Sequence, residues 1–320
     1  MAVINWFPGH MKKTQREIEE NLKLVEAVIE IRDARIPRSS ANPDIDKLCA
    51  GKPRIILLNK SDLTEAKATK EWINFLTTET VRPIEVNCIT GAGLNKIKPA
   101  LDELLKEKHD RLKAKGLVKI VTRVMVVGIP NVGKSTFINK MAKNNIAKTG
   151  DRPGVTKNKQ WIKTKMDIEM MDTPGVLWPR FEHEATALSL AFTGAIKDEI
   201  MDIEELALKL VDRLQNQYGD RLIERYKIDE IVENPLENLD AIARKRGCII
   251  SRGEIDYNRI AVMLLDEFRG GKLGGISLER PDDVIEEAVK VQKEETEKER
   301  KRRIRKEKLR LKKEKEKERR

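Results

Sequence analysis

Residues 128–136, GIPNVGKST, constrain this chain more than any other stretch. A glycine, four residues, a second glycine, then lysine and serine follow the apolar run 123–127 and precede a helical pattern over 137–143. That spacing predicts a strand, a loop and a helix that together cradle phosphate. Gly128 and Gly133 tolerate backbone angles that a side chain forbids, so successive amide hydrogens can turn toward phosphate oxygens at the positive end of the helix. The expected phosphate-binding set is Asn131, Val132, Gly133, Lys134, Ser135 and Thr136. Lys134 reaches the terminal phosphates, and the Ser135 hydroxyl enters a magnesium shell otherwise made of phosphate oxygens and water.

Three further segments have the chemistry to complete such a site. An apolar run at 55–58 ends in Asn59, Lys60, Ser61 and Asp62, where ligands of parallel sheets bind, beyond the carboxyl end of a strand. The Asp62 carboxylate can accept from N1 and N2 of guanine while the Lys60 stem covers the ring and Asn59 ties loops together; adenine lacks that donor pair. A helix cap would use the same residue types, so Asp62 alone does not separate the two readings. The strand expected at 83–86 ends in Asn87 and Cys88 and a glycine turn, which lets backbone amides approach a base edge. After the loop helix comes a flexible segment ending in Thr156, whose hydroxyl can join magnesium only while the terminal phosphate is present. Two strands at 160–164 and 168–171 lead to Asp172-Thr173-Pro174-Gly175, with Asp172 placed to hold magnesium through water and the Gly175 amide to touch the terminal phosphate.

The pieces are those of a GTPase in an unusual order, with the base tetrad ahead of the phosphate loop, as in a circular permutation. A closed site tolerates this because chain ends lie at the surface and near each other. With FPGHM, DARIP, NKSD, GIPNVGKST, RPGVT and DTPG all present, the chain resembles the circularly permuted YlqF/YawG family of TRAFAC-class GTPases over roughly residues 5–279. The resemblance implies an α/β fold: a circularly permuted P-loop GTPase domain with a mostly parallel sheet and helices on both faces, then a small all-helical domain and a charged tail. The corresponding divisions are 1–178, 179–285 and 286–320. It also implies a GTPase that binds immature large ribosomal subunits late in their assembly and is stimulated by the particle. Potassium is implied beside magnesium, with Asn131 as the potassium-associated asparagine. Just beyond DTPG, where many GTPases orient water with glutamine, this chain has Val176 and Leu177, and the resemblance assigns catalysis to His10 of FPGHM instead.

Amphipathic helices take over after about residue 181 and suggest a helical domain packed beside the nucleotide domain. The clusters Arg244-Lys245-Arg246 and Arg269 with Lys272 can contact RNA phosphates or stand as solvated helix ends; the matching family region is an RNA-contacting domain. Residues 293–320 hold sixteen Lys and Arg against eight Glu, or +8 of the chain's formal +11, a surplus that favours ribosomal RNA. The three cysteines are widely separated, as in a reducing compartment, and Cys49 and Cys248 are expected to be small buried residues. With no apolar run of membrane-span length and no signal-peptide pattern, a cytoplasmic monomer with no membrane partner is expected. An RNA-binding scaffold with structural nucleotide and a signalling GTPase with a protein effector remain the competing classes.

Overall fold

A computed structural model describes residues 16–49, 51–142, 161–173, 175 and 183–284. His10, Thr156, Val176, Leu177 and the charged tail fall outside the described residues. The chain divides into two compact units, Met1–Leu278 and Glu279–Arg320. Every strand and helix described between residues 16 and 269 belongs to the first.

The described strands are β1 (Ala27–Asp33), β2 (Arg54–Asn59), β3 (Val81–Glu85), β4 (Thr122–Gly128), β5 (Trp161–Lys163) and β6 (Ile168–Asp172). They form one sheet in the order β3-β2-β1-β4-β6-β5, parallel except where β5 runs antiparallel to β6. From β1 the chain steps outward to β2 and β3, whereas from β4 it steps the other way. The reversal between neighbouring β1 and β4 is a topological switch point, and the crevice beyond the strand ends there is where such sheets bind ligands. Ile31 pairs with Gly128, so the phosphate loop begins at that point.

Strand β1 is buried along its whole length although it reads AVIEIRD. The apolar pattern places its end at Ile31; the strand runs on through Arg32 and Asp33 because each charge has a partner. Glu30 accepts from Arg32 Nε at 2.8 Å and from Arg54 Nη1 at 3.1 Å, while Asp33 pairs with Arg35. Buried charges persist only when paired and hydrogen-bonded in this way.

The helix at 16–22 (α1) and α2 (Pro43–Leu48) cover one face of the sheet: Ile18, Leu22 and Ile45 pack with Val28, Met125 and Val127. The chain then forms α3 (Ala66–Leu76), α4 (Ile97–Leu104), α5 (Lys106–Ala114) and α6 (Lys134–Met141). On the opposite face Ile97 and Leu101 of α4 and Phe137 and Ile138 of α6 meet Ile29, Ile31, Val124 and Val126. The alternation of strand side chains between faces thus fills two cores from one sheet. A single helix over 94–115 is expected from the pattern, but the chain forms a 3-10 turn, α4 and α5 with a break at Leu105, whose backbone leaves the helical region at φ −106° and ψ 13°. Phe75, expected in the core, is 43% exposed and packs edge-on against buried Trp72 with centroids 5.6 Å apart.

The remaining helices are α7 (Glu184–Phe192), α8 (Ile203–Tyr226), α9 (Pro235–Lys245) and α10 (Tyr257–Arg269). Their starts carry side-chain caps from Asp202, Asn234 and Asp256 on α8, α9 and α10, with Pro235 in the first turn of α9. Leu206, Leu210, Ile242, Leu264 and Phe268 belong to the same continuous core as Ile29 and Phe137.

Candidate nucleotide site

The loop of residues 129–133 leaves β4 and enters α6 through Gly133 at φ +97°. A Cβ on Gly133 would lie 2.3 Å from Asn59 Nδ2, so glycine is required there by space as well as by angle. No side chain caps α6, and the amides of its first turn remain available to an anion. Ser135 and Thr136 lie in the first turn of that helix, with Ser135 exposed and Val132 buried. Gly175 lies across the loop: a Cβ there would be 3.3 Å from Pro130 N and 3.4 Å from Gly128 O. The sheet therefore brings Asp172, Thr173 and Gly175 of DTPG to the phosphate loop.

Lys134 donates to Asp172 Oδ1 at 2.7 Å and also to the Thr173 carbonyl. Thr173 is itself anchored, its hydroxyl donating to Val126 O at 2.7 Å. The ammonium expected on phosphate and the carboxylate expected on magnesium are thus one ion pair.

Asn59, at the end of β2 and 3% exposed, joins the two halves of the site. Its Nδ2 donates to Val132 O at 2.7 Å and its Oδ1 accepts from Cys88 N at 2.9 Å. Phosphate loop, tetrad and the 87–93 loop are tied by this one amide. The Cys88 amide is therefore spent on Asn59, and burial pushes its thiol up to about 12. Asn87 Oδ1 accepts from the amides of Ile89 and Thr90, closing the next turn of the loop. Asp62 sits exposed inside the 3-10 helix Ser61–Leu63, and the N-cap positions of that helix and of α3 are held by Lys60 and Glu65, so the capping use of Asp62 is not realised.

Lys60 has a left-handed backbone, φ 61° and ψ 36°. Its Nζ lies 3.0 Å from Asn131 O and 2.9 Å from Asp33 Oδ2. Asn131, also left-handed at φ 59°, donates through Nδ2 to Gly194 O at 2.7 Å. Asp33 is 1% exposed, and Arg35 meets both its oxygens, Nε to Oδ1 at 2.9 Å and Nη2 to Oδ2 at 2.8 Å. Burial pushes the Asp33 carboxyl up, but Arg35 and Lys60 together outweigh it and hold the group well below the usual carboxylate range. The DARIP motif by itself assigns no role to Asp33 or Arg35; the sole signal in the sequence is an acid at the end of an apolar strand.

The helices reach this side of the site directly. Arg35 Nη1 donates to Phe268 O at 3.4 Å with the guanidinium 5.1 Å from the Phe268 ring centroid. Residues 271–278 lie along the tetrad's continuation, Ile276 N donating to Leu63 O at 2.9 Å and Leu278 N to Arg35 O at 3.0 Å. A Cβ on Gly275 would meet Thr64 O at 2.5 Å.

The basic residues divide into two groups. Arg269 binds Asp198 through both terminal nitrogens at 2.7 Å and donates to Phe192 O and Ala191 O, closing the end of α7. Arg246 faces Glu267 at 3.3 Å and lies 5.2 Å from the Tyr226 ring centroid. Arg244, Lys245 and Lys272 are exposed, Lys245 lying 3.5 Å from Asp229.

A family model described as 50S ribosome-binding GTPase matches residues 123–244, which begin in β4 and leave the tetrad at 59–62 outside. The chain is 47% identical over 291 residues to ribosome biogenesis GTPase A of Bacillus cereus, covering 91% of this chain and 98% of that protein. It is 48% identical over 282 residues to the protein of that name from Bacillus licheniformis, covering 88% of this chain and all of the relative. Among solved structures, the GDP-bound structure of TM YlqF matches with a TM-score of 0.58 at 29% identity over 83% of this chain and 100% of that one. The largely parallel sheet with its switch point, the described motif residues that Asn59 and Lys134 tie together and these near full-length likenesses lead to one conclusion: the chain belongs to the ribosome biogenesis GTPase A family of GTP hydrolases.

Proposed function

We propose that this GTPase acts at a late step of large (50S) subunit assembly, binding the precursor particle in its GTP state and leaving after particle-stimulated hydrolysis. The observation that supports this best is the tie through Asn59, which joins a phosphate loop to a guanine-type tetrad in a chain whose relatives are named for ribosome biogenesis. GTP would lie with its base between Lys60, Asp62 and the Asn87–Cys88 turn, and its phosphates on residues 131–136 and Gly175. The donor set suits magnesium: Ser135 is an exposed residue with a hydroxyl in the first turn of α6 and Asp172 a part-exposed carboxylate paired with the adjacent Lys134, and Thr156 would be the third residue. When bound, the metal neutralises charge on the terminal phosphates. Asn131 spends its Nδ2 on Gly194, so its Oδ1 would be the atom to hold a potassium ion. His10 would orient the attacking water once the particle presses the amino-terminal segment onto the site.

Residues 1–178 would form the nucleotide domain and 179–285 the RNA-contacting one. Of the five basic residues in the two clusters, Arg244, Lys245 and Lys272 would meet phosphates, with Arg246 and Arg269 holding the scaffold behind them. The tail from 286 would add salt-sensitive affinity. The protein would act as a cytoplasmic monomer; among the described residues no helix is long and apolar enough to cross a membrane.

The test is GTP hydrolysis in potassium buffer with and without purified large subunits, for the wild type and His10→Ala. Subunits should accelerate the wild type by about tenfold or more, as activating partners of GTPases do. The variant should still bind GTP and subunits but gain little. Equal rates with and without subunits would end the particle-activated reading.

A further inference from the structure

Among the described residues, the acid of the DARIP segment is a charged group touching the tetrad that the proposed site does not use. Asp33 ends β1 next to the end of β2, and its register partner is Asn59. Its backbone amide donates to Ser40 Oγ at 3.1 Å, and its two carboxylate oxygens take Arg35 in a bidentate pair. One of those oxygens also lies 2.9 Å from Lys60 Nζ. The carboxylate thus has a fixed position, set by a buried guanidinium, before it meets the lysine. Arg35 in turn is held between Asp33 and the end of α10 at Phe268.

Lys60 needs such a fixed partner. Its left-handed backbone is unfavourable for a residue with a side chain. A lysine stem also has several rotatable bonds, so one hydrogen bond to Asn131 O would leave its path across the base site poorly defined. Two acceptors from different loops, a carboxylate and a backbone carbonyl, stretch the stem along one line. A side chain already ordered before the ligand arrives costs no further entropy on binding.

We infer that Asp33 is a positioning residue for guanine recognition: held by Arg35, it fixes the Lys60 side chain along the face where the base stacks. The inference rests on the proposed assignment of residues 59–62 to guanine. It makes base affinity depend on a residue outside every nucleotide-contacting motif. Through Arg35 and Phe268, it also places the end of α10 behind the base.

The experiment is a double-mutant cycle on the full chain, with binding of GDP and of ADP measured by calorimetry and folding by circular dichroism and thermal unfolding. The proteins are wild type, Asp33→Asn, Lys60→Met and the double variant. Asp33→Asn should weaken GDP binding by about tenfold or more, and the loss should shrink to about twofold or less when Lys60 is already Met. A merely structural role for Asp33 would give the same loss in both backgrounds, and that result would overturn the inference. GDP binding by Asp33→Asn within about twofold of wild type would overturn it too. If Asp33→Asn does not fold, Asp33→Glu replaces it in the same cycle, since it keeps the charge against Arg35 and displaces the contact with Lys60. Failure of the guanine assignment has a different signature: wild type that binds ADP as well as GDP.

Discussion

The tetrad side and the phosphate-loop side of this site are built from different materials. On the tetrad side, buried and half-buried side chains hold one another: Asn59 spans two loops, and Lys60, Asp33 and Arg35 form a chain of charges that ends on Phe268. On the phosphate-loop side the donors are backbone amides at the start of α6, and the charged side chains, Lys134 and Asp172, pair with each other. The first arrangement is complete within the protein; the second would have to exchange partners for phosphate and metal to bind as proposed. Mutations on the tetrad side should therefore appear in folding and in binding together, and those on the phosphate side in binding alone.

Asn59→Ala should give the largest effect. It leaves the Val132 carbonyl and the Cys88 amide buried without their partner, at a cost of about 2–4 kcal/mol to stability. Denaturant unfolding and GDP calorimetry on the same sample should show both quantities falling; a normal midpoint would break the comparison on its structural side. Lys134→Ala comes next. It should weaken GTP by about a hundredfold, or about 2.7 kcal/mol, while the unfolding midpoint stays close to wild type. A large loss of stability there would mean that the Lys134–Asp172 pair is structural. The smallest expected effect is on thiol chemistry. Burial pushes both Cys88 and Cys49 up to about 12, so at pH 8 only about one thiol in ten thousand is thiolate. Alkylation followed by mass spectrometry should find both unreactive until the protein is unfolded. Fast labelling of Cys88 with slow labelling of Cys49 would show that the turn at 87–93 opens by itself, contrary to a preassembled tetrad side.

Much of the site was legible because its chemistry is local. The phosphate loop announces itself by glycine, lysine and serine within nine residues, and the required angle at Gly133 is present at φ +97°. The tetrad and DTPG were legible for the same reason, each closing an apolar run that becomes a parallel strand. Asp33 and Arg35 were not, because an acid and an arginine two residues apart acquire meaning only from Lys60 and Phe268, which lie 27 and 235 positions from Asp33 in the sequence. The basic clusters show the same limit. Arg244 and Arg246 look alike in the chain, yet one is exposed and the other faces Glu267.

Spacing and residue type alone marked the candidate phosphate loop and tetrad, the order in which these motifs occur and the alternation of strand and helix. These arise from backbone angles and hydrogen-bonding groups confined to a few consecutive residues. Only the tertiary structure decided which backbone groups the Asn59 amide joins, that Lys134 and Asp172 are partners, and which arginines face inward. Those outcomes depend on parallel strands that bring distant loops to one edge of the sheet, where burial makes each charge find a partner.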